Sequence, residues 1–165
     1  MSILPENYLF LEIEFVNDTT NQLLQNKLIQ KDIWQTIDDL GLELNLHEKI
    51  TKINFKLIEQ DWLKLLAKLY ILVRSERGIS ISCMKNSIIC LNKFSHFANK
   101  KYISNSTQID DRLLDEFDYY LKSQNLSMGT ISTHYSSLSS FFNLCREEGW
   151  LHVSTYWFKG KTNIR

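Results

Sequence analysis

The sequence predicts an all-α protein: a compact four-helix domain over residues 55–150, preceded by an N-terminal, partly helical extension over residues 1–54. Three observations carry this. Between Phe55 and Gly149, apolar residues recur at helical spacing in four consecutive stretches. Ahead of the last three stand residues suited to capping a helix: Ser80, Asp110 and Ser127. The 165 residues include one proline and five glycines, so few positions interrupt a long helix.

Taken in order, residues 8–16 (YLFLEIEFV) alternate, with Leu9, Leu11, Ile13 and Phe15 on one side and Glu12 and Glu14 on the other. That is a short strand pattern with no clear second strand to pair with. A helix is expected from Thr20 to Asp39, with Leu24, Leu28, Trp34 and Ile37 on one face and Gly41 as its stop. Leu42 to Asn54 reads as a linker holding one turn of helix at most.

The first of the four stronger helices is expected over Phe55–Glu76, with Ile58, Trp62, Leu65, Leu66, Leu69, Ile71 or Leu72, and Val73 on a broad apolar face and Gly78 at its end. The second follows Ser80, with Met84, Ile88, Leu91, Phe94 or Phe97, and Ala98 inward and Lys85, Asn86, Asn92, Lys93, His96 and Lys100 on the polar side. The third follows Asp110 and carries Leu113, Leu114, Phe117, Tyr120 and Leu121, with Asn125 as its stop. The fourth follows Ser127, with Ile131, Tyr135, Leu138, Phe141, Phe142 and Cys145 inward before Gly149. Its outer positions read Thr130, Ser132, Thr133, His134, Ser136, Ser137, Ser139 and Ser140. Solvated helices ordinarily favour Glu, Lys and Gln there, because Ser and Thr compete with the backbone for hydrogen bonds. Small hydroxyls permit close approach of another helix or of a phosphate backbone, for which they are common ligands.

Nineteen basic and nineteen acidic side chains give zero formal charge, but the signs are segregated. Residues 1–54 hold nine acids and four bases, a balance of −5, whereas residues 55–101 hold nine bases and three acids, a balance of +6. The basic stretch is compatible with a polyanion surface, but charge alone favours solvated helix faces. No apolar run approaches the ~20 residues of a membrane span. The N-terminus lacks a basic leader and carries Glu6, Glu12 and Glu14, so a cytoplasmic protein is expected. Cys83, Cys90 and Cys145 are odd in number and lack zinc spacing with His96, so they read as buried thiols. The acids at 110, 111, 115, 116 and 118 read as helix-start complementarity, not a metal site. No cofactor or small-molecule substrate is expected.

The stretch from Asp61 to Gly149 resembles the N-terminal core-binding, SAM-like domain of tyrosine recombinases and phage integrases. DWLKLLAKLYILVRSERGIS is similar to the family's opening helix and the cap that follows it, and LNKFSHFA to the end of its second. QIDDRLLDEFDYYLKSQNLSMGTISTHYSSLSSFFNLCREEGWL is similar to its third and fourth. The resemblance implies a domain that clamps double-stranded DNA through its second and fourth helices. Carried onto this chain, it points to Ser82, Lys85, Asn86 and Lys93 on the second, and to Thr130, Thr133, His134, Ser136 and Ser137 on the fourth. These lie on the same two polar faces that the residue pattern marks.

Relatives often carry Arg or Lys where this chain has Thr133, His134 and Ser139, which implies weaker electrostatic attraction here. The family's chemistry resides in a C-terminal domain bearing Arg, Lys, His-x-x-Arg and a nucleophilic Tyr. Residues 151–165, with Tyr156 and Trp157, resemble the start of an interdomain linker. The expectation is therefore a non-enzymatic, truncated or fragmentary recombinase domain, with DNA and other recombinase protomers as partners and a nucleoid location when DNA-bound. A helical protein–protein interaction module is the competing reading, with Trp62, Tyr70, Phe141 and Trp150 in its core.

Overall fold

The computed structural model describes residues 18–43, 52–105 and 108–151. Its elements are α1 (Asp18–Leu24), β1 (Ile33–Gln35), β2 (Lys52–Asn54), α2 (Asp61–Glu76), α3 (Ile81–Lys100), α4 (Asp111–Lys122) and α5 (Met128–Glu147). The all-α class holds, with a small two-stranded sheet added at the N-terminal side. The strand expected at residues 8–16, together with Tyr156 and Trp157, lies outside the described residues.

The three expected caps form. Ser80 Oγ accepts from the Cys83 N–H at 3.2 Å, Asp110 Oδ1 from the Leu113 N–H at 2.8 Å, and Ser127 Oγ from the Thr130 N–H at 3.1 Å. Each satisfies a backbone donor that has no partner within its own helix. Asn125 adopts φ 56° in the connection between α4 and α5, the left-handed turn expected of it, although α4 itself ends at Lys122.

The N-terminal segment differs from expectation. In place of one helix over Thr20–Asp39 there are α1, a 3-10 turn over Lys27–Gln30 and β1. Asn26 interrupts the helix, its side chain accepting from the Leu28 N–H at 2.9 Å. The Trp34 indole N–H then donates to the carbonyls of Leu28 and Lys31 at 2.8 and 3.0 Å, turning the ring inward against Phe55 with centroids 4.7 Å apart. Ile37, assigned to the apolar face, is 51% exposed. Gly41 closes a turn instead of a helix, at φ 65°. The linker also contributes structure: β2 pairs antiparallel with β1, Trp34 opposite Ile53.

The first strong helix starts later than its apolar spacing suggests, at Asp61 in place of Phe55. Residues 55–60 are held by a buried polar latch. Ser95 Oγ on α3 donates to Gln60 Oε1 at 2.6 Å and accepts from the Glu59 N–H at 2.8 Å, while Gln60 Nε2 donates to the Ser95 carbonyl at 2.9 Å. Gln60 is consequently extended at φ −84°, ψ 128°. Phe55 and Ile58 still reach the core, from non-helical backbone.

Helix α2 is enclosed, with every residue from Leu65 to Val73 buried. One side meets α3 and α5; the other is covered by α1 and the 3-10 turn. Phe94 stands among Phe117 and Phe142 at centroid distances of 5.2 and 5.6 Å, in edge-on contacts favoured by the ring quadrupoles. Phe141 meets Tyr70 at 5.3 Å. Cys90 and Cys145 are buried as expected, but Cys83 is exposed, because it lies on the outer side of α3's first turns.

Candidate functional site

Helices α3 and α5 pack side by side and leave a groove of about 290 Å³ between them. Asn86 lines it from α3; Ser132, Thr133, Ser136, Ser137 and Ser140 line it from α5. Ser132, Ser136 and Ser140 recur every four residues, so they form a row along one side of the helix. Tyr70 and Arg74 of α2 also line it, as do Ile79, Cys83 and Ser87, and no carboxylate does.

The residues expected from sequence divide into three groups. Asn86, Thr133, Ser136 and Ser137 come together in the groove. Ser82, Lys85 and Thr130 are exposed outside it and Lys93 is half-buried; the two lysines form no ion pair among the described residues. His134 departs from the expectation, being 4% exposed and so not on the outer face of α5. Its spacing to Leu138 and Phe141, four and seven residues on, puts it on the inward row.

The hydroxyls are not equivalent. Thr133 Oγ1 donates to the Gly129 carbonyl at 3.0 Å and Ser87 Oγ to the Cys83 carbonyl at 3.0 Å, so both protons are committed to helix backbone. Burial raises the Cys90 pKa, and the Ser137 hydroxyl beside it opposes that rise. Ser132, Ser136 and Ser140 have no protein partner among the described residues and can donate outward. Burial holds His134 below its ordinary pKa, and the nearby Lys93 charge acts in the same direction, so the imidazole stays neutral near pH 7. Burial also raises the Tyr70 pKa, keeping its hydroxyl protonated.

Arg74 is one of the nine bases of residues 55–101, and the sequence pattern alone does not mark it as a site residue. Its guanidinium carbon lies 5.7 Å from the Tyr70 ring centroid, and its Nε is buried without a hydrogen-bond acceptor. The Tyr70–Arg74 spacing of four residues was the one available signal, and it does not reveal a groove.

A family model described as the phage integrase SAM-like domain matches residues 66–163, more than half of the chain. The chain belongs to this family. No curated protein and no solved structure matches it. The part of the SAM-like domain within the match includes α3, α5 and the portion of α2 that carries Tyr70 and Arg74; α1 and the β1–β2 pair precede it. Among the described residues, no group of three or more His, Cys, Asp or Glu side chains could hold a metal ion. No described helix is long and apolar enough to cross a membrane.

Proposed function

We propose that this SAM-like domain is the DNA-binding, core-binding part of a tyrosine site-specific recombinase or integrase. It takes part in DNA integration or recombination by clamping the target duplex, and in the cytoplasm it works on nucleoid DNA without catalysing strand cleavage itself. The observation that carries the reading is the carboxylate-free polar groove between α3 and α5, with Lys85 and Lys93 on α3 outside its lining, in a chain of the phage integrase SAM-like family. Lysines attract phosphates in a salt-dependent way, while Asn86, Ser82, Thr130, Ser136 and Ser137 are suited to positioning contacts with backbone or base edges. His134 supports α5 from within, and Thr133 must release its bond to Gly129 before it can donate.

Fluorescence anisotropy with a labelled duplex across a salt series tests this reading. Affinity is expected near the non-specific range of ~10⁻⁴–10⁻⁶ M at physiological salt, falling with salt at ~0.9 per phosphate neutralised. Lys85→Ala with Lys93→Ala should flatten the slope by up to ~2 if each lysine meets one phosphate. Absence of binding at low salt would favour a second reading, a helical module for protein partners such as other recombinase protomers. A separate groove of about 940 Å³ between α3 and α4 supports that alternative, where Tyr119 is 78% exposed beside Phe97 and Tyr120.

A further inference from the structure

We propose that Arg74, on the central helix α2, seats one backbone phosphate of the bound nucleic acid in the groove, making α2 a third DNA-contacting element beside α3 and α5. The proposal rests on the duplex-binding reading and deepens it. Arg74 forms no ion pair among the described residues, and no carboxylate lines the groove. A guanidinium whose Nε is withdrawn from water without an acceptor is costly to keep unless something else satisfies it. The aromatic face of Tyr70 holds part of that charge but accepts no strong N–H bond.

A second observation points to the same occupant. Tyr70 is 1% exposed and lines the groove, yet its hydroxyl has no hydrogen-bond partner. The Ser87 hydroxyl lies close enough to influence it, but donates to Cys83 and completes no bond of ordinary geometry with Tyr70. Around these two groups stand the uncommitted hydroxyls of Ser132, Ser136 and Ser140 and the amide of Asn86. The site therefore offers many donors and one fixed positive charge, and lacks a matching anion. A phosphodiester supplies acceptor oxygens in several directions and one negative charge. Arginine's planar fork suits it better than an ammonium would. The first turn of α3 adds the positive end of a helix dipole at the rim, where Ile79 and Cys83 line the groove. At about 290 Å³ the groove has room for a phosphate and the edges of its sugars.

The test uses the full chain, a labelled duplex and a salt series. Arg74→Gln should weaken duplex binding about tenfold at low salt and reduce the salt slope by ~0.9, the share of one phosphate. Arg74→Lys should keep the slope and lose part of the affinity, because the charge remains and the fork does not. Tyr70→Phe preserves the packed ring; it should weaken binding without changing the slope, and it decides the matter if urea unfolding shows that Arg74→Gln does not fold. Lys101→Gln, which removes a lysine paired with Glu116 at 3.3 Å beside α4, is the control and should leave binding unchanged. Salt-dependent binding by the unaltered chain that persists, with the same slope, in Arg74→Gln or in the substitute Tyr70→Phe at unchanged affinity overturns the proposal alone. No duplex binding by the unaltered chain at low salt overturns the parent reading as well.

Discussion

The imidazole of His134 is enclosed, while its neighbours Thr133 and Ser136 face outward. Successive residues on a helix are turned ~100° apart, so one step in sequence separates a groove hydroxyl from a core imidazole. The i, i+4, i+7 relation to Leu138 and Phe141 was legible; the abundance of hydroxyls around position 134 obscured it. Burial carries an energetic consequence. Because the folded pKa lies below the ordinary 6.5, the unfolded chain binds more protons in acid. The contribution to stability is therefore complete above pH 6.5, falls as pH drops below that value, and levels off once pH passes the folded pKa. Urea midpoints should decline between pH 8 and pH 5, and His134→Gln should remove that part of the decline. An equal decline in the variant would assign the effect to other groups.

At the scale of elements, the caps were readable because a cap depends on one side chain and the three residues after it. Ser127 starts α5 by accepting from the Thr130 N–H, and its hydroxyl also meets that of Thr130 at 2.9 Å. Ser127→Ala should lower stability by ~1 kcal/mol, as for other exposed N-caps. Thermal melts would register it, and a change below a few tenths would mean that packing alone positions α5. The β1–β2 pair was not readable. Three residues per strand give too little alternation to outweigh the helical spacing of Leu24, Leu28 and Trp34. The premature start assigned to α2 has a similar origin: Phe55 and Ile58 are core residues at helical spacing, but they flank a turn, and the latch of Glu59 and Gln60 to Ser95 delays the helix to Asp61.

Across the whole molecule, the N-terminal segment and the helices share one core. Thr20 Oγ1 on α1 accepts from the Trp150 indole N–H at 3.0 Å across 130 positions of sequence. Lys68 on α2, with a side chain 1% exposed, donates to the Ile29 carbonyl at 2.8 Å and to Asp32 at 2.9 Å, and Lys64 reaches the same carboxylate at 3.3 Å. Burial acts to raise the Asp32 pKa, but hydrogen bonds and charge from the two lysines prevail and lower it. Asp32→Ala leaves a buried ammonium without its counter-charge. The cost should be about 2 kcal/mol, below the 3–5 typical of fully buried pairs because Asp32 is 36% exposed. Lys68→Met should cost less, since no buried charge is stranded; equal losses in urea unfolding would refute this account. The sequence by itself determined the four-helix order, the three caps, most core positions and the two polar faces, because these follow from helical periodicity and contacts within a few residues. Only the tertiary structure decided that a hairpin-bearing segment encloses α2, that His134 points inward, and that Arg74 and Tyr70 enter the groove between α3 and α5. Each of those outcomes depends on which distant surface a side chain meets, and local spacing carries no information about that partner.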